Sequence, residues 1–311
     1  MSKLSIFIPV YNQPALARRA LSYLVKQSYQ DFLVIIQDDA GQADYQSLIK
    51  EFPSLPIEYR RHGKNLGAIQ NMIYCLFAPS DSEFVMCLHE DDFLQPDYLA
   101  TALAILEKNS DLAFIGSAAH FFQPGIEPMV STTVNAGFHE YGLSDFTAFL
   151  LNQNKLAFGS LIYRRADLRP GFIDLETYDV LFDRPFLLKI LEANDKSGAV
   201  LAGEFYYYQN HPFPDKRWDS LTLANVLNLY SRYEFLAPGR GRFITSQYLF
   251  NFVNLKHKTA RAWRTFWSDG RRAGLISLRR LSCKFLLASL FILAFGQKNY
   301  DRLFTFIKQN K

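Results

Sequence analysis

Four residues with acid–base or metal-binding side chains directly follow a short apolar run in this chain of 311 residues. The run covers residues 84–88, and the polar residues are His89-Glu90-Asp91-Asp92. An apolar run bounded by polar residues is typical of a buried strand. Carboxylates that follow such a strand repel one another, and a divalent cation offsets the repulsion because hard cations bind carboxylate oxygens. Ligands of open α/β sheets lie beyond the carboxyl ends of the strands. The cluster therefore predicts a site for a metal and a phosphorylated ligand.

An acidic cluster of this kind also occurs in solvated loops and at helix starts. Asp92 or Asp97 could simply cap the helix that is predicted after Pro96. Two further polar clusters, Tyr11-Asn12 and Asp38-Asp39, also follow apolar runs. This recurrence at three strand ends favours a ligand site at one edge of a sheet.

The elements that must position these residues alternate along the chain. Apolar runs at residues 4–10, 32–37, 56–60, 84–88 and 113–117 predict strands. Helical spacing predicts helices at 14–26, at 45–52, from residue 65 onward and after Pro96. Short connections between them favour an α/β fold, with a Rossmann-like, mostly parallel sheet and helices on both faces.

Composition sets wider limits. A hydrophobic fraction of 49% and a charged fraction of 21% are typical of globular proteins rather than disordered ones. Cys75, Cys87 and Cys283 lie in apolar segments without metal-ligand spacing, which predicts packed, reduced thiols. The start of the chain, Met1-Ser2-Lys3-Leu4, lacks the pattern of a secretory signal, so none is expected.

Four motifs, taken in order, resemble those of the family-two glycosyltransferases. The similarity covers about the first 100 residues and continues more weakly to about residue 215. The motifs are Ser5-Ile6-Phe7-Ile8-Pro9-Val10-Tyr11-Asn12, Val34-Ile35-Ile36-Gln37-Asp38-Asp39-Ala40-Gly41, Asn65-Leu66-Gly67 with Asn71, and Leu88-His89-Glu90-Asp91-Asp92.

The resemblance implies the A-type glycosyltransferase fold and a nucleotide-sugar donor of the UDP or dTDP type. It places Tyr11 and Asp38 in the base pocket, Asp39 close to the ribose and Glu90 at the ribose hydroxyls. Further nucleotide contacts are implied for Pro9, Asn12, Asn65, Gly67 and Asn71. The structural alternatives are a turn for Asn12 and a helix cap for Asp39.

The metal motif departs from the family pattern. Asp91 falls on the second Asp of the family's Asp-x-Asp motif, whereas His89 replaces the first. His89 could bind metal through a ring nitrogen, contact phosphate, or do neither. Because imidazole suits softer metals, the histidine favours Mn²⁺ over Mg²⁺ as the expected metal. His211, after Tyr206-Tyr207-Tyr208-Gln209-Asn210, is a further candidate contact for metal or phosphate.

Inverting transfer needs a base for the acceptor hydroxyl. By resemblance this base is Asp183, with Asp179 in reserve, and residues 158–165 resemble the acceptor-side segment. Phe182 stands where the family commonly has Glu. Asp183 before Arg184-Pro185 is also typical of a helix start, so capping alone is the alternative.

The last part of the chain is basic. From Glu234 to Lys311 there are 15 Lys or Arg against 3 Asp or Glu, whereas the whole chain carries +4. The apolar stretch within 275–295 has an uninterrupted run of about 11 residues, too short for a bilayer, which needs roughly 20. We expect an interfacial helix on an anionic membrane. The alternatives are packing on the core or a dimer interface.

The expected organisation is a catalytic domain over residues 1–215 and a basic helical extension over 216–311. The catalytic domain would comprise a nucleotide-binding half, 1–115, and an acceptor-binding half, 116–215. The expected function is that of an inverting, hexosyltransferase-type enzyme of cell-surface polysaccharide synthesis. It would use a glycan or lipid-linked acceptor and lie in the cytoplasm at the inner face of the membrane.

Three rival functions compete with this one. A non-catalytic, glycosyltransferase-like nucleotide-binding protein is made credible by His89 and Phe182. A nucleotidyltransferase would need a glycine-rich phosphate loop where Tyr11-Asn12-Gln13-Pro14 stands. A nucleic-acid-binding module is disfavoured, because no recognised motif accompanies the arginines.

Overall fold

The computed structural model describes residues 2–126, 128–130, 137–151, 156–178 and 181–210, and the single residues 229, 232, 233 and 236. The chain divides into two compact units. The first comprises Met1–Gly142, Lys155–Phe172 and Lys189–Phe213, and the second Leu143–Asn154, Ile173–Leu188 and Pro214–Lys311. Asp179, His211 and nearly all of the predicted extension, 216–311, lie outside the described residues, so the predictions for them stay predictions.

The described elements alternate in the first third of the chain, as predicted. The strands are β1 Leu4–Val10, β2 Phe32–Asp38, β3 Ile57–Arg61, β4 Phe84–Cys87, β5 Phe93–Leu94, β6 Leu112–Phe122, β7 Phe138–Tyr141, β8 Ile162–Arg164 and β9 Ser197–Gln209. The α-helices are α1 Pro14–Val25, α2 Tyr45–Ile49, α3 Ala68–Phe77, α4 Tyr98–Lys108, α5 Leu143–Leu151, α6 Leu175–Tyr178 and α7 Asp183–Asn194. Short 3₁₀ helices cover Phe158–Ser160, Arg165–Asp167 and Pro170–Phe172.

One sheet contains all the strands named here, in the order β3-β2-β1-β4-β8-β6-β9-β5, with β7 also paired to β9. The strands β3, β2, β1 and β4 are parallel, and Val10 of β1 lies opposite Asp38 of β2. The amide of Leu88 donates to the Phe7 carbonyl at 2.9 Å and continues the alignment past the end of β4. The carboxyl ends of these strands therefore meet at one edge, which positions the candidate site.

The predicted α/β fold class is confirmed, but the second half of the sheet is mixed. Strand β8 runs antiparallel to β4 and β6, and β5 and β7 run antiparallel to β9. Strands β6 and β9, by contrast, form a parallel pair. Strand direction here depends on partners far apart in sequence, which hydrophobic periodicity does not encode.

Helices cover both faces of the parallel half. Because successive strand residues point to opposite faces, Leu4, Ile6 and Ile8 share one buried cluster with apolar residues of α1, α2 and α4. On the other face, the thiol of Cys87 contacts the Met72 carbonyl of α3 at 3.9 Å.

The prediction of packed, reduced thiols is confirmed for two of the three cysteines, whereas the apolar stretch within 275–295 lies outside the described residues. Cys75 and Cys87 are free, buried thiols, as expected, and Cys283 lies outside the described part. None of the helices in the described ranges combines the length and apolar character that a bilayer-crossing segment requires.

Candidate functional site

A cleft of about 660 Å³ lies at the carboxyl ends of β1, β2 and β4 and at the start of α3. Nine of the residues singled out from the sequence line it. They are Pro9, Tyr11, Asp39, Asn65, Gly67, Asn71, His89, Glu90 and Asp91. Asn12 and Asp38 lie next to this cleft in sequence but do not line it. The structure thus brings the motifs of three strands together around a single cavity.

Asn12 and Asp38 shape the loop that follows β2. The side-chain oxygen of Asn12 accepts from the amides of Gln42 (2.6 Å) and Ala43 (3.2 Å). Asp38 is fully buried, accepting from the Gly41 amide at 2.8 Å and the Tyr59 hydroxyl at 2.6 Å. The turn alternative for Asn12 therefore matches its contacts. The base-pocket role of Asp38 stays a prediction, and its two oxygens are already engaged.

Asp39 holds the backbone at the start of α3. Its two oxygens accept from the amides of Leu66 (2.7 Å) and Gly67 (2.8 Å). Gly67 precedes the helix with φ of 85°, a left-handed conformation that favours glycine. These two amides precede α3, which has no side-chain capping bond, so the contacts of Asp39 do not match the capping alternative. The residue also lines the cleft. This loop presents Asn65 and Gly67 at the cleft surface.

The side chain of Asn71 is held in place by hydrogen bonds to residues that do not line the cleft. Its side-chain amide donates to the Gln37 carbonyl at 3.1 Å, and its oxygen lies 3.0 Å from Nε2 of His62. Asn71 is only 2% exposed. These bonds hold the amide in one orientation, so Asn71 is a rigid wall of the cleft rather than an adaptable contact.

Glu90 lies between the first strand and helix α2. One oxygen accepts from the Tyr11 amide at 3.3 Å and the other from the Tyr45 hydroxyl at 3.4 Å. Burial, and next the charge of Asp91, raise the pKa of Glu90 to about 8. The ring of Tyr11 lines the cleft and is 46% exposed. The pair thus offers a hydrogen-bonding carboxyl group beside an exposed aromatic ring.

Asp92 is buried beneath the cleft and binds across the sheet. It accepts from the Tyr206 hydroxyl at 2.5 Å and the Gln209 amide at 2.9 Å, both on β9. Oδ2 of Asp92 also lies 3.4 Å from Nδ1 of His89. The suggestion that Asp92 caps a helix is therefore wrong, because its oxygens bind β9. Asp97, the other cap candidate, precedes α4 but makes no side-chain capping bond.

The pairing with Asp92 governs the protonation of His89. Burial alone lowers the pKa of His89, but the hydrogen bond and charge of Asp92 outweigh it and raise that pKa to about 9. Burial also raises the pKa of Asp92, against the opposing effect of His89. The pair therefore retains a proton at neutral pH.

The side chains of His89, Asp91 and Asp92 fit a divalent metal. One ligand atom from each lies within 4.8 Å of the others. Within the described part of the chain, Nε2 of His89 is buried and has no hydrogen-bond partner. A histidine that binds metal commonly has its other ring nitrogen against a carboxylate, and Asp92 occupies that position. His89 and Asp91 are thus the ligand candidates, and Asp92 orients His89.

Arg19 fixes the backbone of the acidic segment. From α1 its guanidinium donates to the Asp91 carbonyl at 2.5 Å. The same group lies over the rings of Phe93 and Phe122, with its central carbon 5.5 and 5.1 Å from their centroids. Contact with these two rings therefore helps to keep the cation at the Asp91 peptide.

Sequence reasoning assigned no role to Arg19 or Tyr208, although Tyr208 lines the cleft. For Tyr208 a signal was present: in Tyr206-Tyr207-Tyr208, alternation puts the outer two side chains on one face. Arg19 carried no comparable signal, because its partner Asp91 is 72 residues away in sequence.

Asp183 is the first residue of α7 and belongs to the second compact unit. It is partly buried, and its carboxylate accepts from the Arg184 amide at 2.9 Å. Burial raises the pKa of Asp183, and the charge of Arg184 opposes that effect. Asp183 is therefore the first helical residue, and both its capping role and its catalytic role stay predictions.

Several curated proteins are similar to part of the chain. An uncharacterized glycosyltransferase of Haemophilus influenzae is 29% identical over 112 residues, 36% of this chain and 37% of that protein. The succinoglycan biosynthesis protein ExoW of Rhizobium meliloti is 32% identical over 116 residues, 33% of each chain. The hyaluronan synthase of Pasteurella multocida is 30% identical over 130 residues, 40% of this chain and 13% of that protein. The matched segments therefore cover between 13% and 37% of the length of these relatives.

Two of the similar solved structures illustrate the shared fold. S. aureus TarS 1-349 in complex with UDP-GlcNAc has a TM-score of 0.61 and 16% identity, covering 99% of this chain and 92% of that one. Mannosyltransferase PcManGT from Pyrobaculum calidifontis, in complex with GDP-Man and Mn²⁺, has a TM-score of 0.53 and 16% identity. Its match covers 98% of this chain and 83% of that one. At this identity the likeness concerns the fold.

The model of the family described as Glycosyl transferase family 2 matches residues 5–166. That match covers just over half of the 311 residues and includes the ends of β1, β2 and β4, which border the cleft. The family pattern and the clustered motifs agree, and the chain belongs to glycosyl transferase family 2.

Proposed function

We propose that this protein is an inverting glycosyltransferase that moves a hexose from a nucleotide-sugar donor to a glycan or lipid-linked glycan acceptor. The observation that carries the proposal is the convergence of Tyr11, Asp39, Asn71, Glu90 and Asp91 on one cleft. A cleft beyond parallel strand ends, with aromatic, amide and carboxylate groups together, suits a nucleoside diphosphate. The rival, a non-catalytic nucleotide-binding protein, would share this cleft, so the two differ only in turnover.

The nucleoside would bind at the β1 and β2 side of the cleft. The exposed ring of Tyr11 can stack on a base. The carboxyl groups of Glu90 and Asp39 can accept hydrogen bonds from ribose hydroxyls or from N–H groups of the base. The solved relatives named for UDP-GlcNAc and for GDP-Man support a nucleotide-sugar donor of this type. We expect UDP or dTDP as the nucleotide.

The diphosphate would bind beside the acidic segment. Asp91 and Nε2 of His89 would hold Mn²⁺ or Mg²⁺, with Asp92 orienting the imidazole. When bound there, a divalent cation supplies positive charge that stabilises a departing nucleoside diphosphate. His89 must lose its proton to act as a ligand, so the affinity for metal should rise with pH up to about the pKa of 9.

The acceptor hydroxyl would lose its proton to Asp183 as its oxygen attacks the anomeric carbon, giving inversion in a single displacement. The raised pKa of Asp183 suits this role, because a base works best with a pKa close to the working pH. Asp179 remains the reserve candidate.

A polysaccharide role is supported by the relatives named for succinoglycan biosynthesis and hyaluronan synthesis. The excess of 12 positive charges from Glu234 to Lys311 supports contact with an anionic membrane surface. We therefore place the enzyme in the cytoplasm at the inner membrane face, with residues 1–215 catalytic and 216–311 as the extension.

Turnover of nucleotide sugars tests the proposal. Purified protein with Mn²⁺ should release nucleoside diphosphate from at least one of a panel of UDP-, dTDP- and GDP-hexoses, with water as acceptor. Consumption of no donor, despite nucleotide binding, would establish the non-catalytic rival.

The variant Asp183→Asn tests the base. We expect a rate roughly 10²–10⁴-fold lower with nucleotide affinity unchanged. Glu192→Gln, an exposed acid on the same helix, is the matched control and should keep the wild-type rate. A near-wild-type rate for Asp183→Asn would remove Asp183 from the mechanism.

A further inference from the structure

Two aromatic side chains border the cleft at the ends of β6 and β9. Phe121 and Tyr208 lie opposite each other in the register of these strands. Their ring centroids are 5.3 Å apart, with the planes tilted by 59°. Tyr208 lines the cleft beside His89 and Asp91, whereas Phe121 lies outside it on the neighbouring strand and is 52% exposed. The pair continues the cleft surface as an open aromatic patch.

This patch is not an extension of the core. Successive strand residues point to opposite faces of the sheet. The side chains of His120 and Tyr207, which precede Phe121 and Tyr208, therefore lie on the other face. There Tyr207 stacks on Phe93 at 4.8 Å and belongs to a separate buried cluster. Packing thus accounts for Tyr207 but leaves half of the Phe121 surface in contact with water.

The sheet order locates the patch relative to the nucleotide. Strands β2 and β1 lie on one side of β4, and β6 and β9 lie on the other. The proposed base and ribose contacts come from β1 and β2, and the proposed diphosphate contacts from the segment after β4. The patch therefore lies on the sugar side of the diphosphate site.

The position of Tyr208 is fixed by its neighbours in sequence. Tyr206 and Gln209 both donate to Asp92 beneath the acidic segment, at 2.5 and 2.9 Å. These bonds tie the end of β9 to Asp92, which contacts His89. The backbone that carries Tyr208 is therefore anchored beside the candidate metal ligands. An anchored ring next to an open surface is suited to orient a ligand.

We propose that Phe121 and Tyr208 form a stacking subsite for a hexopyranose ring of the acceptor, an inference that rests on the proposed glycosyl transfer. One face of a hexopyranose presents C–H groups that pack against an aromatic ring, while its hydroxyls stay in water. Neither ring carries a positive charge, and the Tyr208 hydroxyl is the one hydrogen-bond donor of the two side chains, so the pair suits the C–H face of a sugar better than a phosphate. The occupant is the acceptor rather than the donor sugar, because Phe121 lies outside the cleft that receives the donor.

Saturation-transfer NMR tests the subsite directly. The probes are methyl β-D-glucopyranoside, methyl β-D-galactopyranoside and cellobiose, each added to the full-length protein with UDP and Mn²⁺. Irradiation of aromatic protein protons should give signals on the ring C–H groups of at least one probe. Phe121→Ala should reduce these signals several-fold, and Phe121→Tyr, which keeps the ring, should restore them.

The matched control is Phe138→Ala. Phe138 is 37% exposed and lies on β7, which pairs with the same strand β9 at Leu201, but it does not line the cleft. Its variant should give wild-type signals. Equal signals from Phe121→Ala and wild type, or no signal from any probe while UDP binds, would overturn the subsite.

Two further binding measurements distinguish a failure of the acceptor subsite from a failure of the proposed donor site. If Phe121→Ala weakens UDP-glucose more than UDP, the patch serves the donor sugar and the acceptor assignment is wrong. If UDP fails to bind the wild type while the probes still give Phe121-dependent signals, the subsite stands and the donor assignment falls.

Discussion

At the scale of single residues, Arg19 controls the backbone that carries Asp91. Its guanidinium donates to the Asp91 carbonyl while packing against the rings of Phe93 and Phe122. Arg19→Met keeps the apolar packing but removes the donor. Because a hydrogen bond that involves a charged group contributes about 1.5–3 kcal/mol, we expect a loss on the order of tenfold in Mn²⁺ affinity, measured by electron paramagnetic resonance titration with UDP present.

The neighbouring Arg18 provides the control for Arg19. It forms an ion pair with Glu51 in which both side chains are about half exposed, and such surface pairs contribute little. Arg18→Met should therefore leave Mn²⁺ affinity unchanged. Equal affinities for the Arg19 and Arg18 variants would show that the carbonyl contact does not position Asp91.

Glu90 gives a prediction for pH dependence. Its pKa is raised, mainly by burial, from 4.5 to about 8 in the folded protein. The folded state thus holds a proton that the unfolded state has lost, so this group reduces the free energy of unfolding as pH rises from about 4.5 to 8. Glu90→Gln should remove that loss. The free energy of unfolding of Glu90→Gln, relative to that of the wild type, should therefore increase between these pH values. The increase should be at most about 1.4 kcal/mol for each pH unit.

Urea denaturation at pH 4.5, 6 and 8, with chelator present, measures this difference for Glu90. A difference between variant and wild type that stays constant over the three pH values would contradict the raised pKa. Glu107→Gln, an exposed acid on α4, serves as the control.

At the scale of elements, the loop after β2 depends on a close approach to Asn12. A Cβ added at Gly41 would lie 2.7 Å from the Asn12 side-chain oxygen and 3.2 Å from an oxygen of Asp38. Neither side chain can move cheaply, because both accept bonds from this loop. Gly41→Ala should lower the free energy of unfolding by about 1–3 kcal/mol, the usual cost of overpacking.

The control for Gly41 is Gly63→Ala, where an added Cβ meets nothing within 4 Å. Its effect on the free energy of unfolding should stay within about 0.5 kcal/mol. Both variants can be measured by the same urea titration. A Gly41→Ala protein as stable as Gly63→Ala would show that the loop is free to rearrange.

The elements differ in how far their sequence predicts them. Strand β1 has the predicted bounds, 4–10, because its apolar run is continuous and sharply bounded. Strand β6 runs to Phe122, five residues beyond the prediction, because it is extended by pairing with β9 rather than by its own apolar pattern. Local patterns specify an element, whereas long-range partners decide its length and direction.

The candidate site shows the same division. Nine of its predicted residues line the cleft because each follows a strand or starts a helix that the sequence marks clearly. The contacts of Asp92 with Tyr206 and Gln209 join residues 114 and 117 positions apart. No local spacing encodes such contacts, so the orientation of His89 could not be predicted from the sequence.

At the scale of the whole molecule, the charge distribution matters for the acceptor. The excess of 12 positive charges from Glu234 to Lys311 leaves the rest of the chain at −8. An acidic body with a basic end suits attraction to anionic lipid, which would bring a lipid-linked acceptor towards the enzyme.

We expect the cleft to bind a nucleoside diphosphate through a divalent metal held by Asp91. Isothermal titration of UDP, dTDP and GDP, each with Mn²⁺ and with chelator, tests it most directly in the wild type, in Asp91→Ala and in the exposed-acid control Asp111→Ala. We predict Mn²⁺-dependent heat with at least one nucleotide in the wild type and in Asp111→Ala, and its loss in Asp91→Ala. Unchanged Mn²⁺-dependent binding in Asp91→Ala would contradict the metal role of Asp91. No nucleotide binding by the wild type would contradict the nucleotide role of the cleft.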